Sequence, residues 1–160
     1  MNILNMKRPI WFMRQAGRHL PEYRKIRSKK KNFLDFCFDK KSIVEATLQP
    51  VQRYKIDCAI IFCDILIAPY ILGQKISFVK GEGPLLENLS LEELISLKPL
   101  PQKRKDLQNT YDAIKDIRKK LNKNKSLIGF CGGPWTVACY MINGKGDTKF
   151  KAVIEKINKE

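Results

Sequence analysis

Cys58-Ala59-Ile60-Ile61-Phe62-Cys63-Asp64 is an apolar run of strand length closed by a carboxylate. Continuous runs of this kind are typical of parallel strands buried on both faces. Ser126-Leu127-Ile128-Gly129-Phe130-Cys131 has the same character and predicts a second buried strand. Between the two, Lys103 to Leu121 places Leu107, Tyr111, Ile114, Ile117 and Leu121 at three- and four-residue steps, the spacing of one helical face. Strand, helix and strand in this order predict an α/β fold with a parallel sheet.

The neighbouring segments fit that frame. Pro21 suits a first helical turn, so a short helix is expected from Pro21 to about Ser28. Ser42 is the expected cap of a helix to about Tyr54, with Ile43, Val44, Leu48 and Val51 as its apolar stripe and Pro50 bending or shortening it. Lys75 to Lys80 alternates and reads as a small exposed strand, followed by a Gly-Glu-Gly-Pro turn at 81–84. A short helix is expected at Leu91 to Leu97. Gly132-Gly133-Pro134 turns the chain into another from about Trp135 to Ile142, broken by Gly144-Lys145-Gly146. Asp147 is the expected cap of a last helix, within which the sequence stops.

The chain has 160 residues, 44% of them hydrophobic, which is enough for one domain, 1–160, with a real core. Its formal net charge is +15, which suits a nucleic acid, a membrane surface or an acidic small molecule, or reflects a lysine-biased genome composition. The lysines are spread along the chain, apart from Lys29-Lys30-Lys31 and a cluster from Lys115 to Lys125 on the polar side of the long helix. No zinc-finger spacing, RNA-recognition motif or aromatic-basic repeat accompanies them, so nucleic acid is not expected. Five cysteines without a C-x-x-C pair suggest neither a disulfide framework nor a zinc site, and they read as small buried hydrophobes in a reducing cytosol. No stretch reaches the ~18 apolar residues of a membrane span, and the N-terminus lacks the apolar core of a leader. The expected location is cytoplasmic, with no membrane partner and no metal.

From Pro9 to Arg24 the chain reads Pro-Ile-Trp-Phe-Met-Arg-Gln-Ala-Gly-Arg-His-Leu-Pro-Glu-Tyr-Arg. Residues 9–20 have no clear period and predict an ordered loop. Arg14 and Arg18 flank Gly17, and a guanidinium grips carboxylates through a rigid fork. Such a pair makes a clamp for a substrate with several carboxylates. The backbone N–H groups of Gln15 and Ala16, between them, are candidates for an anion nest. The alternative for the arginines is ordinary surface salt bridging.

This run resembles the N-terminal signature of the uroporphyrinogen decarboxylase family. Ile60-Ile61-Phe62-Cys63-Asp64-Ile65-Leu66 and Gly129-Phe130-Cys131-Gly132-Gly133-Pro134-Trp135-Thr136 resemble two later blocks of it, in the right order. The resemblance implies a (β/α)8 TIM-type barrel, of which this chain would be the N-terminal portion. A barrel takes eight strands and about 250 residues, and only two barrel-type strands are placed here. Open strand edges then predict poor stability alone, or a partner carrying the rest.

The resemblance further implies removal of carbon dioxide from the four acetate arms of uroporphyrinogen, giving coproporphyrinogen, with no metal and no cofactor, in a homodimer. It implies that Asp64 holds the pyrrole N–H groups and stabilises positive charge on the ring. It assigns Arg14 and Arg18 to the substrate, one as anchor and the other near the departing acetate or helping to supply the proton, without saying which does which. Tyr140 matches a tyrosine lining the pocket. Read as bare residues, Asp64 is alternatively a helix N-cap or a loop aspartate and Tyr140 an ordinary core tyrosine. Trp11 and Trp135 read as packing anchors and His19 as structural. Cys63 stands where many relatives have serine, and the family's pocket serine and late histidine have no counterpart. The competing readings are a methyltransferase of the same barrel superfamily, a basic binding module and an inactive fragment.

Overall fold

The computed structural model describes residues 8–79, 83–146 and 150–158, except the side chains of Val79, Ala152 and Lys156. The predicted Asp147 cap and the first half of the 81–84 turn lie outside them. By contact the chain divides into two compact units, Met1–Cys63 with Gln108–Phe130, and Asp64–Leu107 with Cys131–Glu160.

The first unit holds the parallel pair. β1 (Cys58–Ile60) lies beside β4 (Ser126–Ile128) in parallel, with Cys58 opposite Ser126 and Ile60 opposite Ile128. Both strands are shorter than their apolar runs. Ile61 still donates to the Ile128 carbonyl, 3.0 Å, but beyond it the chain leaves the ladder. Asp64 therefore stands past the strand and not at its last residue.

α3 (Lys40–Arg53) and the Gln108–Lys120 part of α6 (Pro101–Lys120) cover this pair. Ile43, Val44 and Leu48 of α3 meet Ala59 and Ile61 of the strand region and Ala113, Ile117 and Leu121 at the end of α6. The long helix is confirmed, but its buried stripe runs through Ala113 and Ile117, and Tyr111 is exposed. α3 starts two residues before Ser42. Its cap is Asp39, whose Oδ2 accepts from the Ser42 N–H at 2.8 Å and from the Ser42 hydroxyl at 2.6 Å. A carboxylate there also suits the positive end of the helix dipole. Pro50 falls in the last turn, and the helix runs on to Arg53.

A second core of the same unit is aromatic. α1 (Pro21–Arg27) is as predicted, and α2 (Phe33–Phe38) is a helix the sequence did not announce. Asn32 caps α2 by accepting from the Asp35 N–H at 2.8 Å. Leu20, Tyr23, Phe36 and Ala46 are buried together, with Ala16, Phe33 and Phe62 packed against them.

In the second unit, α4 (Ile67–Leu72) ends at Gly73, whose φ of +105° is the left-handed conformation glycine adopts without strain. β2 (Ile76–Val79) pairs antiparallel with β3 (Gly83–Leu86), so Gly83 and Pro84 belong to a strand and not to the predicted turn. α5 (Leu91–Ser96) has a capping box between Ser90 and Glu93. α7 (Pro134–Asn143) packs against α8 (Lys151–Ile157), with Cys139, Ile142 and Val153 buried between them.

Trp11 and Trp135 are 45% and 50% exposed; of the two, Trp135 packs in part, on Phe150, with ring centroids 6.2 Å apart. None of the five cysteines forms a disulfide; Cys37, Cys58 and Cys139 are buried and Cys131 is exposed. No helix among the described residues is long and apolar enough to cross a membrane.

Candidate active site

Arg14, Gln15, Ala16 and Arg18 stand in the first unit, Asp64 and Tyr140 in the second, and each group has its own geometry. The arginine loop runs alongside β1. At its start, Ile10 and Asp57 pair reciprocally: the Ile10 N–H donates to Asp57 Oδ2 at 2.8 Å, and the Asp57 N–H to the Ile10 carbonyl at 2.7 Å. At its middle, the buried Gln15 side chain donates to the Cys58 carbonyl and accepts from the Ile60 N–H, both at 2.9 Å. What Gln15 retains for a ligand is its backbone.

Past Gln15 the loop turns, with Leu20 N–H donating to the Gly17 carbonyl at 3.1 Å, and Leu20 plugs the aromatic core. Arg24 on α1 reaches back and donates from Nη1 to the Arg18 carbonyl at 2.6 Å. The segment is thus tied down on both sides, while the Arg14 and Arg18 side chains are exposed. Arg14 also borders a pocket of about 290 Å³ with His19, Tyr54 and Phe12. Exposed guanidiniums on an anchored backbone suit capture of carboxylates, since little chain entropy remains to be lost on binding.

In the second unit, Asp64 opens a tight turn. Its Oδ1 accepts from the Leu66 N–H at 2.8 Å, just before α4. This is an Asx-turn, so part of the cap-like reading of Asp64 is realised. Burial raises the Asp64 carboxyl above the ordinary aspartate value, and the Leu66 hydrogen bond pulls it partly back. A half-buried carboxylate of this kind suits stabilising a cation formed beside it.

Ile65, next to Asp64, is met by the loop that starts α7. A Cβ on Gly132 would stand 2.5 Å from Val137 Cγ2 and 3.0 Å from Ile65 Cβ. Only glycine permits this approach. Gly132→Ala is expected to destabilise the fold by about 1–3 kcal/mol, the usual cost of forcing atoms into a packed site. Val137→Ala in the same chain should recover much of the loss, as read from urea midpoints; equal midpoints for the single and double variants would sink this account.

Tyr140 is half-buried on α7. A Cβ on Gly146 would come within 2.7 Å of its hydroxyl oxygen, so the chain after α7 passes directly under the phenol. Sequence reasoning missed the side chains that hold the frame. Thr47 accepts from the Phe62 N–H at 2.9 Å, fixing the segment between β1 and Asp64's turn. Gln74 donates to the carbonyls of Glu87 and Met141, at 2.9 and 3.0 Å, and so ties the residue after Tyr140. Lone polar residues inside apolar stretches were the available signal. Among the described residues, no three His, Cys, Asp or Glu side chains gather to hold a metal ion.

The family model for uroporphyrinogen decarboxylase matches residues 5–160. This chain belongs to the uroporphyrinogen decarboxylase family. Over 146 residues it is 51% identical to the uroporphyrinogen decarboxylase of Rickettsia felis, a match covering 91% of this chain and 42% of that protein. The Rickettsia canadensis enzyme of the same name is 50% identical over 145 residues, with the same 91% and 42% coverage. The chain thus spans about two fifths of the length of the curated relatives it matches. Among solved structures, a methyltransferase from Methanosarcina mazei superposes with a TM-score of 0.54 at 15% identity, over 69% of this chain and 34% of that one. At that identity the likeness concerns the fold alone.

Proposed function

We propose that this chain carries the carboxylate clamp and the central aspartate of an enzyme that converts uroporphyrinogen III to coproporphyrinogen III. The observation that carries the reading is the match of half the residues across nearly the whole chain to proteins of that name. The arginine loop supports it, because two exposed guanidiniums on a doubly anchored backbone suit a substrate bearing eight carboxylates. The wider fold is a (β/α)8 barrel of which the β1–β4 pair is the first part. The enzyme is a cytoplasmic homodimer.

In this reading a ring carbon of one pyrrole is protonated, which places positive charge on the ring. Asp64 accepts from the pyrrole N–H groups and stabilises that charge. The bond between the acetate methylene and its carboxyl carbon then breaks. Carbon dioxide leaves, and its bonding electrons neutralise the ring. A proton on the exocyclic carbon completes the methyl group, and loss of the ring proton restores the pyrrole. Arg14 and Arg18 hold carboxylates, with the backbone N–H groups of Gln15 and Ala16 beside them. The Tyr140 hydroxyl donates to a carboxylate while its ring packs on a pyrrole.

The test uses the protein at the full length of its relatives, supplied with uroporphyrinogen without oxygen. Coproporphyrinogen and four equivalents of carbon dioxide are expected per substrate; binding without carbon dioxide release would leave a tetrapyrrole-binding protein instead. Arg18→Lys is expected to lower kcat/KM by about 10- to 100-fold, since an ammonium keeps the charge and loses the bidentate fork. A variant with unchanged kcat/KM would remove Arg18 from the clamp.

A further inference from the structure

We propose that Gln15 is a positioning residue whose side-chain amide bridges the β1 backbone at Cys58 and Ile60, and thereby sets where Arg14 and Arg18 stand. The inference rests on the proposed role of those arginines. Residues in a strand point their backbone groups alternately to the two sides. Ile61 donates to Ile128 on β4, so Cys58 and Ile60 present their groups to the opposite edge.

Gln15 bridges these groups. A primary amide carries a donor and an acceptor side by side, as a peptide unit does. Its Nε2 donates to the Cys58 carbonyl and its Oε1 accepts from the Ile60 N–H, each at 2.9 Å. The residue is 6% exposed; its bond to Cys58 is buried and that from Ile60 part-buried, and a buried amide left unpaired is costly. Packing alone does not explain the choice, because methionine has similar volume and no polar group to satisfy.

The consequence falls on its neighbours. Arg14 is bonded directly to Gln15, so its Cα lies about 3.8 Å from the Cα of a residue anchored through its side chain. On the other side only Ala16 and Gly17 separate Gln15 from Arg18, whose carbonyl is held by Arg24. Ala16 rests on the aromatic core. Releasing Gln15 frees the loop between Ile10 and Arg18 at its centre and leaves its ends tied. The expected effect is a loop that still exists and no longer holds its two guanidiniums in one geometry.

The experiment compares Gln15→Met with the native residue at the full length of the relatives, using two readouts. Amide hydrogen exchange reads the staple without any activity. The Ile60 amide is expected to exchange at least tenfold faster in the variant, while the Ile61 amide, bonded to Ile128, stays protected. Kinetics on the folded fraction should show kcat/KM lowered by about 10- to 100-fold, the range expected when a binding group is misplaced by about an ångström. The loss should shrink in an Arg18→Lys background, since one placement can be lost only once. Unchanged exchange at Ile60 would overturn the staple. Faster exchange with native kinetics would make Gln15 a structural glutamine only. If the native protein releases no carbon dioxide, the proposed activity fails, and Gln15 is then judged by exchange at Ile60 and by the affinity for uroporphyrinogen, which Gln15→Met should weaken tenfold or more.

Discussion

Asp64→Asn, made at the full length of the relatives, is expected to cut kcat for uroporphyrinogen decarboxylation by about 100- to 1,000-fold, the usual cost of removing a charge aimed at the transition state. Asparagine keeps the shape, and its amide oxygen still accepts from the Leu66 N–H that closes the turn. The negative charge is lost, and one acceptor oxygen becomes an NH2 donor. The ring's positive charge exists only along the reaction path, so the loss should fall on kcat more than on KM. Near-native turnover in the asparagine variant would refute the role given to Asp64.

The same substitution should leave the fold at least as stable, which separates catalytic damage from misfolding. Burial raises the Asp64 carboxyl above its ordinary value, so ionised Asp64 is less welcome in the folded chain than in the unfolded one. For a raised carboxyl the sign is fixed. The stability this group contributes is fully present below the ordinary aspartate range and is lost as the pH rises through its folded value. At neutral pH asparagine avoids that loss. Urea midpoints should therefore favour Asp64→Asn at pH 7, and the difference should close as the pH falls below the ordinary aspartate range. A lower midpoint for the variant at pH 7 would show that the carboxylate supports the fold.

Where residues repeat over several turns, the sequence was readable. The face of α6 and the apolar stripe of α3 are decided by three- and four-residue spacing over 20 and 14 residues. The parallel pairing of β1 with β4 followed from two apolar runs flanking a helix. Short elements were missed for the converse reason. The six residues of α2, Phe33 to Phe38, are mostly phenylalanine and apolar neighbours, too short to display a period. α4 has Pro69 in its first turn and reads equally well as a loop, and only Gly73 at its end announces it. β3 begins inside a Gly-Pro pair that reads as a turn, because strand pairing is decided by residues distant in sequence. At the site, residue types were legible and second partners were not. Two arginines around a glycine announce an anion clamp, while nothing local says that Gln15 is spoken for by Cys58 and Ile60, 43 and 45 residues away.

Phe36→Ala is expected to destabilise the chain by about 3–5 kcal/mol, the range for truncating a fully buried phenylalanine. Phe36 has no exposed surface. Its ring meets Tyr23 edge-on at 5.4 Å and 89°, and Phe62 at 5.0 Å and 60°. Each such pair adds about 0.5–1.5 kcal/mol to the burial itself. The Arg27 guanidinium lies 5.7 Å from the Phe33 ring and 5.9 Å from that of Phe36, closing one side of the cluster. α1, α2, α3 and the strand-end segment all contribute to the cluster, so collapse from one side cannot fill the hole. Loss of the ring also removes support from Ala16 and Leu20, which fasten the arginine loop. Met13→Ala is the control, because Met13 is 81% exposed only one residue from Arg14. Its cost should stay within about 0.5 kcal/mol. Urea unfolding of both variants gives the comparison. If the two midpoints fall equally, the loop does not depend on the aromatic core; a large drop for Phe36→Ala alone, with faster amide exchange at Leu20, makes that core the platform on which Arg14 and Arg18 are held.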